Sequence, residues 1–549
     1  LTLKTLSMGA ELMLKTLTTT EFELNLEADV LVIGGGPAGT WAAWSAAWSG
    51  ASVVLVDKGY CGTTGCAAAS GNGVWYVPPD EEARESAIAS RESLGGFLAH
   101  RSWMNRVLDQ TFANVNLLAE WGYPFPTDDE GKPYRRSLQG PEYMRLMRKQ
   151  IKRVGVKILD HSPALQLLVD EEGIVSGATG VNRQTEETWK VRSHSTIIAT
   201  GGCAFLSKAL GCNVLTGDGY LMAAEAGAEM SGMEFSNAYG ISPAFSSVTK
   251  TLFYKWATFT YEDGTPIPGA GSQKGRSVIA KTLLSQPVYA IIDQAAPEMR
   301  ASMRLAQPNF FLPFDRAGID PFTQRFPVTL RLEGTVRGTG GIRIVDETCA
   351  SSVPGLYAAG DAATRELICG GFTGGGSHNA AWAISSGYWS GAAAAEYAQN
   401  IGKQANQRRV KGVGEAGLTT QKEHPQSLAT EEIIQAVQAE VFPYDRNLFR
   451  TNQGLTNSLA KLDHLWQEIR DRQVETKQLV RGREAAAMVA TARWMYNSAL
   501  ERTETRGMHK HQDYPEQDVN QQHHLISGGL DQVWVKPQPL NIKTLASIS

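Results

Sequence analysis

ADVLVIGGGPAG, residues 28–39, runs from an apolar stretch straight into a glycine-rich turn. Ala28–Ile33 has the unbroken apolar character of a parallel strand covered on both faces. Gly34, Gly36 and Gly39 then fit the spacing G-x-G-x-x-G, and Pro37 to Ser49 is a run of small residues that predicts a helix. Ser52–Val56 is a second apolar strand, ending at Asp57. Strand, turn, helix, strand and terminal acid together make one βαβ unit of the dinucleotide-binding kind. Gly34 permits the tight turn, Gly36 lets backbone approach a pyrophosphate, and Gly39 allows close packing of helix on strand. The helix N-terminus offers free N–H groups to phosphate, and Asp57 is placed to accept from a ribose hydroxyl. The motif alone does not choose between FAD and NAD.

Two more buried strands, Ser195–Thr200 and Gly355–Ala359, end at glycines in the same manner. Their separation predicts one sheet assembled from discontinuous segments, with an insertion between them. That insertion, from about Tyr239 to Gly334, is rich in Pro, Phe and Gly. Beyond Lys403 the composition turns to Gln, Lys and Glu, and Leu428–Val441 and Leu455–Leu500 carry apolar residues at helical spacing. The chain has 549 residues, 42% hydrophobic and 20% charged, with a net charge of -4. That is a multi-domain globular balance with no footprint for nucleic acid. No run approaches the roughly 18 apolar residues of a membrane helix, so no integral membrane protein is expected. Six cysteines in such a length do not make a disulfide framework, and a cytoplasmic location is the expectation.

Further segments carry a family resemblance. AAASGNG (67–73), IIATGG (197–202), TGDGYLMAAEAGAEMSGMEF (216–235), RGTGGIRI (337–344), VPGLYAAGD (353–361) and ALERTETRGMHKHQDYPEQD (499–518) occur in this order. The chain resembles the flavoprotein subunits of fumarate reductase, succinate dehydrogenase and adenylylsulfate reductase, and L-aspartate oxidase. The resemblance implies FAD and an α/β fold: a discontinuous Rossmann-like FAD-binding domain, an inserted capping domain and a C-terminal helical domain. The corresponding boundaries are a flexible tail at 1–24, the FAD-binding domain at 25–238 and 335–402, the cap at 239–334 and the helical domain at 403–549. It further implies cofactor contacts from Gly34, Gly36, Pro37, Ala38, Gly39, Asp57, Lys58, Ala69, Ser70, Gly71, Gly201, Asp218, Gly360, Asp361 and Ser377. Gly370–Gly376 then opens a helix whose N-terminus would favour negative charge on a reduced flavin. By the same analogy, electrons pass to an iron–sulfur or ferredoxin-like subunit, since this chain has no cysteine pattern for a cluster.

The departures from the family are equally specific. Where fumarate reductase and succinate dehydrogenase attach FAD to a histidine, this chain has Gly65, so a non-covalent FAD is expected. Tyr239 and Val336 stand in place of two dicarboxylate-binding histidines, and no arginine lies near Thr373, where the family has one. Arg276 aligns with the family's proton-delivering arginine. A dicarboxylate needs several fixed cationic donors, so the expected substrate is a small anion of another kind. The expected catalytic group is Arg276, Tyr239 and Arg337, with Tyr239 supplying a hydroxyl for orientation or proton transfer.

Two other readings stay open at the level of sequence. Cys61 and Cys66, spaced C-x₄-C, match the redox pair of flavin-dependent disulfide reductases, which would make a thiol–disulfide enzyme. The lost site residues also fit a non-catalytic flavin-binding subunit. His509, His511, His523 and His524 read as packing or solvated groups, with no metal site expected. Trp41, Trp44 and Trp48, at helical spacing, read as one packed helix face.

Overall fold

The side chains of the first strand alternate between two separate cores, which is why its apolar run is continuous. In a computed structural model, which describes residues 22–127, 130–249, 251–272, 275–372, 377–402, 408–418, 428–470 and 478–540, β1 spans Leu24–Ile33 and β2 Val53–Val56. Val30, Val32, Val53 and Leu55 belong to one buried cluster, and Leu31, Ile33, Val54 and Val56 to another. With period 2 along a strand, both faces of the sheet are therefore covered.

β3 (Lys157–Leu159), β4 (Ala164–Asp170), β5 (Val175–Val181) and β6 (Thr188–Ile198) complete most of this sheet. β3, β2, β1 and β6 run parallel in that spatial order, and the strand Leu356–Ala358 pairs parallel to the end of β6. β5, β4 and the strand Val410–Gly412 add on as an antiparallel extension. The expected assembly of one sheet from distant segments is thus what the chain forms.

Two helices cover the face that holds Val30 and Val32. α1 (Pro37–Trp48) and α2 (His378–Ile401) pack at backbone distance because glycines meet them. A Cβ on Gly387 would lie 2.3 Å from the Ala38 carbonyl oxygen, and one on Gly391 2.2 Å from that of Ala42. The small residues of both helices are the reason the sheet and the turn at Gly34 can sit so close together.

The insertion forms a four-stranded antiparallel sheet, ordered Ala238–Pro243, Phe326–Gly334, Val288–Ile291, Thr258–Thr260. Its core is aromatic, with Phe253, Phe310, Phe311, Phe314 and Phe326 in mutual ring contact. The chain leaves and re-enters the FAD-type domain at adjacent points, since Ala238 pairs with Gly334 and Gly334 abuts Cys203. The C-terminal part packs α3 (Thr430–Val441), α4 (Asn452–Arg470) and α5 (Leu479–Glu501) together. It is not purely helical. A hairpin, His523–Gly528 with Trp534–Pro539, joins Met230–Ser231 and Gly341–Ile342 in a further sheet. No helix among the described residues is long and apolar enough to cross a membrane.

Candidate active site

One cavity of about 1750 Å³ lies between the glycine turn, the cap and the C-terminal segments around 448–449 and 507–512. Ligand pockets for drug-sized molecules are typically about 300–1,000 Å³, so there is room for a dinucleotide and a second molecule. Gly34, Gly36, Pro37, Ala38, Asp57, Lys58, Gly71, Gly201, Asp218, Gly360, Asp361 and Ser377 all line it. Gly39, Ala69 and Ser70 do not, and each has a local reason. A Cβ on Gly39 would sit 1.8 Å from the Gly34 carbonyl oxygen, so that glycine serves helix–turn packing. The Ser70 hydroxyl donates to Cys66 O at 2.7 Å, closing its own loop, and Ala69 O accepts from Asn309 of the cap at 3.2 Å.

The turn has the geometry that a phosphate requires. Gly34 has φ +113°, a conformation that favours glycine. Nothing lies within 4 Å of a Cβ built on Gly36, so the space before the α1 N-terminus is open. Among the described residues no side chain caps α1 or α2, and Ser377, Asn379 and Ala380 bring the α2 N-terminus to the same cavity. Two uncapped N-termini present free N–H groups and positive dipole ends to a common space. The residues present therefore fit FAD.

The acids around this space are held by the protein as well. Asp57 accepts from Gly35 N at 2.6 Å and Gly59 N at 2.8 Å, which buttresses the turn. Burial pushes its carboxyl up, against the pull of those two donors. Lys58 is engaged on all sides, with Asp218 and Glu484 each at 2.7 Å and Thr216 at 3.0 Å. Its ammonium fixes the Asp218 carboxylate, and its three N–H donors are taken up by the protein while the residue lines the cavity. Asp361 pairs with Arg365, a buried arginine that also binds the carbonyls of Thr335, Val336 and Gly338.

On the cap side the three expected catalytic residues all line the cavity, in unequal roles. Arg337 pairs with the fully buried Glu333 at 3.0 Å, and Glu333 also accepts from Thr249 at 2.8 Å. Arg276 exposes its side chain yet lies deep within the molecule, because the surface it exposes faces the cavity. The neighbouring Arg337 charge, with burial, lowers its pKa to about 10. Tyr239 requires a correction. Its hydroxyl bonds to the Val441 carbonyl at 2.9 Å and the Phe442 carbonyl at 3.1 Å, and its ring packs on Tyr444. A phenol has one proton to donate, and here it ties the cap to α3. Tyr239 is a wall of the cavity and a seam residue, and it does not present a hydroxyl for proton transfer.

Sequence reasoning missed Arg91, Arg136 and Lys255, which reach the cavity from segments outside every motif, and Lys510, which lies within the 499–518 motif but was given no role. Among the described residues, seven lysine or arginine side chains line it against three aspartates. No histidine is among the described lining residues, and Gly65 is at the wall. Thr373 and residues 374–376 lie outside the described residues. The thiol–disulfide reading is not supported: Cys61 is fully buried against Gly35, and burial pushes its thiol up to about 12, away from the reactive thiolate. The C-terminal histidines bond to separate partners, although the rings of His509 and His511 meet at 5.7 Å. His509 binds Arg502 O, His511 faces Asn452 and His524 binds Leu98 O.

Comparison with known proteins agrees with this geometry. Residues 29–238 match the FAD binding domain model and residues 439–548 the fumarate reductase flavoprotein C-terminal model. The fumarate reductase (CoM/CoB) of Methanothermobacter marburgensis has a subunit 24% identical over 543 residues, covering 89% of this chain and 95% of that one. L-aspartate oxidase of Streptomyces coelicolor is 26% identical over 546 residues, covering 90% of each. Among solved structures, E. coli quinol fumarate reductase FrdA superposes with TM-score 0.79 at 19% identity, over 95% of this chain and 98% of that one. Adenylylsulfate reductase of Archaeoglobus fulgidus gives TM-score 0.74 at 18% identity, with the same coverage.

Proposed function

Because this chain belongs to the FAD-dependent oxidoreductase family of fumarate reductase, succinate dehydrogenase, L-aspartate oxidase and adenylylsulfate reductase, we propose that it oxidises or reduces a small anionic substrate other than a C4 dicarboxylate, beside a non-covalently held FAD. The observation that carries this reading is the pair Arg276 and Arg337, two guanidiniums close enough to repel, both lining the cavity. Glu333 offsets one of the two charges, and the positive charge left over favours an anion beside them. With Lys58 engaged by Asp218 and Glu484, the pyrophosphate of FAD would account for only part of the other six cations around the cavity.

The glycine turn and the N-termini of α1 and α2 would hold FAD, and Asp57 would accept from its ribose. When bound, FAD supplies a two-electron centre that takes up or gives hydride. Arg276 and Arg337 bind and orient the anion, and Glu333 fixes Arg337. Arg276, lowered to about 10, is the nearest candidate to move a proton. The cap excludes water, which strengthens these charge interactions. Val336 is a buried apolar side chain and the Tyr239 hydroxyl is engaged elsewhere, which supports a substrate other than fumarate, succinate or L-aspartate. Electrons are exchanged with an iron–sulfur partner, a reading supported by relatives that are themselves named subunits.

The test has two arms. Acid denaturation should release FAD into the supernatant, and flavin that stays with the precipitated chain overturns the non-covalent reading. Fumarate reduction and succinate oxidation with artificial carriers should be negligible. Turnover of order 10 s⁻¹, ordinary for an enzyme on its own substrate, would overturn the substrate class.

A further inference from the structure

We propose that Tyr143, Trp41, Trp44, Trp121 and Trp48 form a chain of redox-active rings that carries an oxidising equivalent from the FAD cavity to the protein surface, giving the protein a light-driven electron transfer from soluble thiols to bound flavin.

The geometry is continuous. Tyr143 lines the cavity, on the helix Gly140–Arg153. Gly140, one turn earlier, is pressed against the 67–70 loop, where a Cβ would lie 2.2 Å from Ala67 O and 2.4 Å from Ser70 O. The Trp41 indole N–H donates to the Tyr143 hydroxyl at 2.7 Å. Trp41 meets Trp44 at 5.9 Å between ring centroids and Trp121 at 5.4 Å, and Trp44 meets Trp121 at 5.0 Å. Trp48 stacks on Trp44 at 5.3 Å with planes 13° apart. The chain begins on a fully buried ring and ends on one that is 70% exposed.

Packing explains the inner rings but not the outer one. Trp41 is fully buried and fills a core, whereas Trp48 leaves most of a large apolar surface in water. Tryptophan and tyrosine are the side chains most readily oxidised by one electron through a ring. Rings in van der Waals contact exchange electrons in short hops, which replace one long tunnelling step.

A second series provides a contrast within the same molecule. Trp382, with its N–H on Gly360 O at 3.0 Å, meets Trp103, and Trp103 meets Trp389. There the Arg106 guanidinium lies 4.0 Å over Trp389 and 4.9 Å from Trp103. A fixed positive charge opposes placing a second one on the ring, so this branch is a poor carrier. Among the described residues, no arginine or lysine lies over Trp41, Trp44, Trp121 or Trp48.

The electrons balance as follows. The oxidant is oxidised flavin excited by visible light. Tyr143, the ring at the cavity wall, gives it one electron; Trp41 refills Tyr143, Trp44 refills Trp41, and Trp48 refills Trp44. The Trp48 radical cation releases its indole N–H proton to water. A soluble thiol then returns a hydrogen atom to Trp48. The net change is one electron gained at the flavin, one hydrogen atom lost by the thiol and one proton released. Two such events allow two thiyl radicals to combine as a disulfide.

Transient absorption of the FAD-loaded protein under anaerobic conditions tests this, with dithiothreitol as the thiol. Wild type should show a long-lived tryptophan radical after a visible flash, and steady illumination should reduce the flavin. Trp48→Phe should shorten the radical lifetime and slow thiol-dependent photoreduction several-fold. Trp48 is exposed, so its replacement should leave the FAD content and the melting curve unchanged, and both are recorded. Trp389→Phe should match wild type. A Trp48→Phe protein with wild-type radical lifetime and photoreduction overturns the proposal, as does an equal loss in Trp389→Phe.

Discussion

The same substitution, glycine to alanine, should damage different properties at two positions three residues apart. At Gly36 the backbone has φ -75° and ψ -172°, an extended conformation open to any residue, and an added Cβ meets nothing within 4 Å. Removing glycine freedom from the unfolded chain stabilises by about 0.4–1 kcal/mol where the geometry is compatible. Alanine is the weaker N-cap by about 1 kcal/mol. These offset, so apo Gly36→Ala should melt close to wild type. Its methyl, however, projects into the space before the α1 N-terminus. Displacing the phosphate from one backbone N–H costs about 1.5–3 kcal/mol, or roughly 10–150-fold in Kd. At a FAD concentration of about 100 times the wild-type Kd, FAD adds about 2.7 kcal/mol of stability. A 100-fold weaker variant would retain about 0.4 kcal/mol of it at the same concentration. At Gly39 the added Cβ would lie 1.8 Å from Gly34 O, so the turn must open. Overpacking of this kind costs about 1–3 kcal/mol, and the apo form itself should be less stable. The assay is thermal melting of both variants with and without FAD, together with a flavin-fluorescence titration. The reasoning is refuted by wild-type FAD affinity in Gly36→Ala, or by equal destabilisation of the two apo proteins.

Three further outcomes follow from the same contacts. Tyr239→Phe removes a donor from two buried carbonyls, so the protein should lose about 1–3 kcal/mol in denaturant melts, while the pH dependence of turnover stays that of wild type; an altered profile would restore Tyr239 as a proton carrier. Arg276, lowered to about 10 chiefly by Arg337, should support constant affinity for an inorganic anion such as sulfate through neutral pH, falling as pH passes about 10; in Arg337→Ala the fall should move to higher pH, and calorimetric titrations at several pH values decide it. Glu366 is fully buried, and desolvation raises it from 4.5 to about 7. The folded protein therefore keeps a proton that the unfolded chain loses between these values. Its contribution to stability should fall by about 3 kcal/mol as pH rises through that window, and level off above it. Glu366→Gln should remove this slope from stability measured against pH, and an unchanged slope would assign it to another group.

What the sequence made legible, and what it hid, divides along one physical line. The turn at Gly34–Gly39 was readable because every requirement on it is local: a positive φ at Gly34, a close approach at Gly39, an open side at Gly36. The two-sided burial of β1 and β2 was readable for the same reason, since a continuous apolar run reports both faces at once. The small-residue faces of α1 and α2 were visible singly, but their meeting at Gly387 and Gly391 was not. Tyr239 shows the limit most clearly. Its position at the cavity followed from the resemblance, whereas the carbonyls that engage its hydroxyl are about 200 residues away, on Val441 and Phe442. No spacing or periodicity carries a contact of that range. The partners of Lys58 were hidden in the same way, because Glu484 approaches it from α5. The departures from the family are of another kind. An absent histidine at Gly65 or an apolar Val336 is a property of one position, and it holds wherever the chain goes in space. A residue type that is missing can be read from a string of letters; the direction of a side chain that is present is settled only by its distant partners. The proposal against a dicarboxylate therefore rests on single positions, while the proposal of an anionic substrate rests on Arg276 and Arg337, whose nearness only the folded chain reveals.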